Sequence, residues 1–210
     1  MDYELNRIFI ELANLGLWHN TLIIFMADHG DMLFDHGLVR KGLPFENSSG
    51  IPLVVKLPRS MSEGRIGTTD TRLAEIRDIF PTICDACGID LPPGIDGRSL
   101  LSPDGGHEII HGEHPAGEES NQWLTDGKEK YCWFSQTGRE LLFDLINDPD
   151  ETHDIAHDRK DRIAFWRDIM VKELSWRNEG YVKDGKLQTG QQVDPSQPWV
   201  GIGRTAFSKN

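Results

Sequence analysis

The opening 26 residues restrict the fold more than any other stretch of the chain. Leu5, Ile8, Phe9 and Leu12 recur at i, i+3, i+4 and i+7, the spacing that lays apolar side chains along one helical stripe, so an amphipathic helix is predicted over residues 3–15. Gly16 ends it, and Asn20 and Thr21 turn the chain. Residues 22–26, Leu-Ile-Ile-Phe-Met, then form an unbroken apolar run of strand length. A helix feeding directly into such a strand is half of an α/β crossover unit, in which the strand is covered on both faces. Residues 51–57, IPLVVKL, predict a neighbouring strand, with Pro52 at its start, where a missing N–H is tolerated. The fold class is α/β.

A second helix is predicted from close to Asp78 to Gly88, because Ile76, Ile79, Phe80, Ile83 and Cys87 share a face and Pro81 fits only near a first turn. Turn-forming residues then accumulate at 91–94 and 102–106, and the texture changes. Short β-like runs at 107–114, 122–125, 130–136 and 140–145 are separated by Asp126-Gly127 and Thr137-Gly138, which predicts a small antiparallel meander. A helix over residues 152–176 follows. This divides the chain into an α/β core over 1–104, a small antiparallel-sheet subdomain with a packing helix over 105–178, and a surface tail over 179–210.

Composition excludes several classes. A net charge of −12 argues against nucleic acid or an acidic membrane as partner, since both require clustered Lys and Arg. No apolar run approaches the roughly 20 residues of a membrane span, and the acidic first residues do not read as a signal peptide. The compartment is left unknown. Three cysteines, Cys84, Cys87 and Cys132, cannot form a closed disulfide set. Cys84 and Cys87 make a C-x-x-C, but it lies inside an apolar helical period with no second pair, so both read as helix cysteines.

Chemistry concentrates just past the first strand, in FMADHGDMLFDHGLVRKG. Loops at the carboxyl ends of strands in α/β sheets converge on ligand crevices, and Asp28 and His29 stand there. A carboxylate and an imidazole are ordinary metal ligands, although two of them complete no divalent shell. The alternative is a turn with a capping carboxylate. Lys41, in a Gly-flanked segment, suits the grip of an anionic oxygen or is an exposed loop lysine. His36 suits a proton donor or anion contact, or equally a hydrogen-bonded loop histidine.

Two further patterns are read as structural. HEIIH, residues 107–111, matches the zinc-protease pattern, but that chemistry needs a helix. Here the run follows Pro-Asp-Gly-Gly, and strand geometry would separate His107 and His111 by about 13 Å. Trp123, Trp133, Phe134, Trp166 and Trp176 read as core between sheet and helix rather than as a sugar platform.

Three blocks in order, LGLWHNTLIIFMADHGDMLFDHGLVRKGLPFENSSGIPLVVKLP, DIFPTICDACGIDLPPGIDGRSL and LLFDLINDPDETHDIA, resemble the C-terminal part of a sulfatase, of the alkaline-phosphatase-like superfamily. The resemblance implies part of a sulfatase-type central sheet with flanking helices, plus a small antiparallel sheet and helix. It also implies hydrolysis of sulfate esters, small molecules or sulfated glycans, at a divalent metal, usually calcium, with a formylglycine nucleophile. Carried residue by residue, it makes Asp28 and His29 metal ligands and Lys41 the sulfate contact, and places His36 in the loop beside the site. Pro44, Glu46 and Pro52 fall at positions of structural duty, and Glu113-His114 near the subdomain junction.

The departures are equally specific. The family's nucleophile motif, C/S-x-P/A-x-R, is missing, since CDACG lacks the arginine and Cys132 lacks the context. No Asp-Asp pair precedes residue 28. The expectation is a fragment that carries half a metal site and is inactive alone. Two rivals remain: a phosphonate or phosphate ester hydrolase of the same superfamily, using manganese or zinc, and a non-catalytic module binding an anion or a partner. An exposed sheet edge would also allow homo-oligomers.

Overall fold

The computed structural model describes residues 1–114 and 117–191, which fall into two compact units. One comprises residues 1–28 and 51–71, the other residues 29–50 and 72 onward.

In the first unit, α1 (Asp2–Asn14) carries acidic Asp2 and Glu4 in its first turn, where they complement the helix dipole. No α1 residue is buried, and Ile8 and Ile10 are half exposed. Phe9 packs edge-on against Trp18 at 5.6 Å. Strands β1 (Ile23–Met26) and β2 (Leu53–Lys56) are neighbours as expected, but they pair antiparallel, Ile23 opposite Lys56 and Met26 opposite Leu53. The crossover expected of β1 is therefore not a parallel one. The 26-residue connection between β1 and β2 returns the chain in the opposite direction. Lys56 anchors the pair by donating to the Thr21 carbonyl at 2.8 Å while lying over the Trp18 ring.

The second unit holds the core. Strands β3 (Ile110–His114), β4 (Asn121–Thr125), β5 (Glu129–Phe134) and β6 (Glu140–Asp144) form an antiparallel meander in sequence order. One face packs Leu124, Tyr131, Trp133 and Leu142 against Ile163, Trp166, Met170 and Leu174 of the helix α4 (Lys160–Leu174). The other face gathers Cys132, Leu141 and Phe143 with Phe45. Gly112 lets the Trp123 ring lie against β3, since a Cβ there would come 2.1 Å from that ring.

Helix α4 starts eight residues later than the pattern predicts. Asp148 accepts the His153 N–H and the Thr152 hydroxyl, both at 2.8 Å, while Asp154 accepts the amides of Leu142 and Ala156. Such side chains hold residues 152–159 in turns that compete with helix. Helix α3 (Ile79–Cys87), entered through a 3-10 turn at Ile76–Asp78, has Pro81 in its first turn and ends on left-handed Gly88, as expected.

Two short strands, Val182–Lys183 (β7) and Lys186–Leu187 (β8), turn at Asp184-Gly185 within the stretch read as a surface tail. Tyr181 beside them is fully buried. The rest of that tail, residues 192–210, lies outside the described residues. No helix among the described residues is long and apolar enough to cross a membrane.

Candidate functional site

The loop from His29 to Gly50 belongs to the second unit and contains three of the four residues singled out from the sequence. A one-turn α-helix, α2 (Glu46–Ser49), sits at its far end, beyond a 3-10 turn at Asp35–Gly37. His29 Nδ1 lies 2.7 Å from the Gly30 carbonyl. A carbonyl only accepts, so Nδ1 carries the proton and Nε2 presents its lone pair. Lys41 Nζ stands 2.8 Å from that Nε2 and donates to it. Sequence reasoning brought His29 and Lys41 to one chemistry, and the loop brings them into direct contact across twelve residues.

Gly30 makes this arrangement possible. Its N–H donates to the Ser48 carbonyl at 2.9 Å, and a Cβ would come within 2.0 Å of the Asn47 carbonyl oxygen. Only glycine fits. The loop closes on itself through Met32 N–H to Arg40 O at 2.8 Å, with the Met32 side chain wholly buried. Leu33, Phe34, His36 and Arg40 all adopt left-handed backbone angles without being glycine. Strain of this kind collects at ligand-handling loops.

His36 is tied into the loop's support. Its ring stacks on Phe45 with centroids 4.4 Å apart, and Nε2 donates to the Asp150 carbonyl at 3.1 Å. Asp28 is half-buried and precedes His29 directly, as the last residue of the first unit's opening segment.

Sequence reading overlooked the charged group beneath this loop. Lys130 on β5 is fully buried, 2.5 Å from Glu46 Oε1 and 2.9 Å from Glu151 Oε1, and donates to the Pro44 carbonyl at 3.0 Å. Burial pushes the Glu151 pKa above the usual carboxylate range, with Lys130 pulling partly the other way. The signal was present: one lysine heads the apolar run Tyr131-Cys132-Trp133-Phe134, where an unpaired charge would be prohibitive.

Glu75, Asp78 and His107 also converge, their candidate ligand atoms all within 4.8 Å of one another. The carboxylate of Asp78 is already engaged within the protein. Asp78 accepts the Glu75 amide at 2.9 Å through Oδ2, and both the Arg98 amide and His107 Nε2 at 2.8 Å through Oδ1. Arg77 lies 2.8 Å from Glu75 Oε1. The cluster staples the start of α3 to the segment ahead of β3. It also separates the two histidines of the HEIIH run, since His111 Nε2 meets Gln122 Oε1 at 2.7 Å in β4. Burial pulls the His111 pKa down, its bond to Gln122 opposing.

A family model, "Sulfatase", matches residues 1–89. The arylsulfatase of Clostridium perfringens is 38% identical over 200 residues, a match covering 92% of this chain and 42% of that protein. The chain belongs to the sulfatase family. The multifunctional alkaline phosphatase superfamily protein PehA of Trinickia caryophylli is 33% identical over 84% of this chain and 38% of its own length. Among solved structures, the phosphonate monoester hydrolase of Agrobacterium radiobacter aligns with a TM-score of 0.68 at 27% identity, covering 91% of this chain and 43% of that one. This sulfatase-family chain thus spans about two-fifths of the length of these relatives.

Does a divalent ion, which the family binds, suit the residues present? A metal-binding imidazole characteristically gives its second N–H to a carbonyl or carboxylate, which fixes the tautomer and aims the free nitrogen. The Gly30 carbonyl fixes the His29 tautomer in this way, while the Nε2 lone pair accepts from Lys41, a bond that an ion bound there would have to displace. The adjoining Asp28 is a carboxylate, so this pair has the donor chemistry a divalent ion takes, though two ligands complete no shell.

Proposed function

We propose that these residues are part of a sulfatase-type hydrolase of sulfate esters, with Asp28 and His29 as metal ligands and Lys41 as the contact to the anionic ester. The observation that carries the reading is Lys41 Nζ poised 2.8 Å from His29 Nε2, with the Gly30 carbonyl holding the imidazole in the metal-binding tautomer. The ion, calcium by family resemblance, would supply Lewis-acid neutralisation of an ester oxygen. Lys41 supplies a point positive charge for the other oxygens, worth most where water is excluded. Asp28 offsets cation charge. His36 serves by holding the loop that carries Lys41, since its Nε2 proton is committed to Asp150.

The nucleophile, a formylglycine in this reading, is contributed by residues outside the 210, because no C/S-x-P/A-x-R is present. The 210-residue chain alone then turns over no aryl sulfate. Substrates of the whole protein are small sulfate esters or sulfated glycans.

The likeness to a phosphonate monoester hydrolase supports a second reading: a phosphonate or phosphate ester as substrate, with manganese or zinc, ions that imidazole suits better than it suits calcium. The test expresses the longest reading frame containing these residues and combines metal analysis with assays on an aryl sulfate and an aryl phosphonate. Bound calcium with preference for sulfate supports the first reading, and manganese or zinc with preference for phosphonate supports the second. Neither metal nor turnover, or metal retained in Asp28→Ala, overturns the ligand assignment and leaves a non-catalytic binding module.

A further inference from the structure

We propose that Glu151 and Lys130 are positioning residues that set where Lys41 points, by gripping its loop on both sides. The inference rests on reading Lys41 as the ester contact. Lys41 lies midway between His36 and Glu46, five residues from each. Both of those residues are held by one turn: the Asp150 carbonyl accepts from His36 Nε2 at 3.1 Å, and the Glu151 carboxylate accepts the Glu46 amide at 2.5 Å. Two consecutive residues therefore fasten the two ends of the segment that carries the cation.

Lys130 tightens the same segment from β5. Its polar contacts, to the Pro44 carbonyl, Glu46, the Ser49 hydroxyl and Glu151, fall on the 29–50 loop or on the gripping turn. Asn121 of β4 adds a bond from Nδ2 to the Gly42 carbonyl at 2.9 Å, on the residue next to Lys41. Beyond Glu46 the support reaches the imidazole. Ser48 O accepts from Gly30 N–H at 2.9 Å, and Gly30 O accepts from His29 Nδ1 at 2.7 Å.

The backbone shows what this grip does. Glu151 and His36 are both non-glycine residues held at left-handed φ, 53° and 52°. Such conformations persist when surrounding contacts over-determine them. Glu151 has one carboxylate oxygen on Lys130 and the other on the Glu46 amide, and its side chain is 1% exposed. An exposed lysine on an untethered loop would spread over many rotamers. Anchoring the backbone on either side confines the ammonium to the neighbourhood of His29.

The test uses amide hydrogen exchange and imidazole ¹⁵N resonances on the 210-residue chain, comparing wild type with Glu151→Gln, Lys41→Met and His36→Phe. Glu151→Gln should speed exchange at Gly30 and residues 43–50 by roughly tenfold or more beyond any change in β4, β5 and β6. It should also move the His29 Nε2 resonance towards its position in Lys41→Met. His36→Phe keeps the ring stack on Phe45 but cuts the other anchor, so it should give the same local pattern even where Glu151→Gln fails to fold. Equal acceleration throughout the meander would mark Glu151 as a general stability contact and overturn the proposal. So would an unmoved His29 resonance in both variants. Exchange needs no turnover, so a protein that cleaves no ester yet shows the local pattern loses the functional reading and keeps the staple.

Discussion

Replacing Lys130 with methionine isolates the energetics of the buried charge group. The side chain is similar in length and packs in the same slot, but the cation disappears. Wild-type Lys130 is fully buried, with carboxylates at 2.5 and 2.9 Å and a carbonyl at 3.0 Å. Removing one partner of a buried pair leaves the other charge uncompensated, at a cost of about 3–5 kcal/mol. Glu46 is partly exposed and can turn to water, whereas Glu151, at 1% exposure, cannot. The cost therefore falls on Glu151. Its pKa is already raised by burial, and loss of the lysine's opposing pull raises it further.

A carboxyl whose folded pKa exceeds its unfolded value binds more protons folded than unfolded, so stability falls as pH rises from the ordinary glutamate value, about 4.3, through the folded one. The Lys130→Met penalty should thus be about 3–5 kcal/mol at pH 7 and less than half of that near pH 4.5. For a chain of this size the pH 7 loss corresponds to a fall of roughly 6–20 °C in Tm. Urea unfolding followed by tryptophan fluorescence at both pH values measures it. Adding Glu151→Gln should recover part of the loss at pH 7 by removing the orphaned charge. A penalty below about 1 kcal/mol, or one equal at the two pH values, would show that no uncompensated Glu151 charge is left behind.

Gly30→Ala should cost about 1–3 kcal/mol or more in urea unfolding, because its Cβ would meet the Asn47 carbonyl oxygen at 2.0 Å with only backbone to give way. His107→Ala removes a donor from wholly buried Asp78 and should cost about 1–3 kcal/mol by the same assay, while His153→Ala, at an exposed side chain, should be near neutral. Native chain treated with a thiol reagent should show one fast cysteine, exposed Cys87. Cys132, buried and with its thiol pKa pushed up by burial, should react only on unfolding.

What the sequence disclosed, and what it did not, divides along the range of the interactions. The α1 stripe, the strand ends, the Pro81 and Gly88 limits of α3 and the four-strand meander are written in local periodicity and turn residues, and all appear within a few residues of their predicted places. The start of α4 does not, because Asp148 and Asp154 divert backbone amides that a helical pattern counts as free. The Asp184-Gly185 hairpin was legible as a turn dipeptide but lies between strands too short to show alternation. At the site, Asp28, His29 and Lys41 stood out by chemical type and position after a strand. Lys130 and Glu151 did not, since their meaning depends on partners 84 and 105 residues away from each other's shared contact, Glu46. No window of sequence holds that information.

The proposed function stands or falls on Lys41 contacting the ester at a metal held by Asp28 and His29. Its sharpest test is kcat/KM of the protein expressed from the longest reading frame containing these residues, for the better of an aryl sulfate and an aryl phosphonate, wild type against Lys41→Met. The expected outcome is a fall of about 10²–10³-fold, the loss that follows when one charge-stabilising contact is removed, with metal content unchanged. A Lys41→Met protein within tenfold of wild type would contradict it.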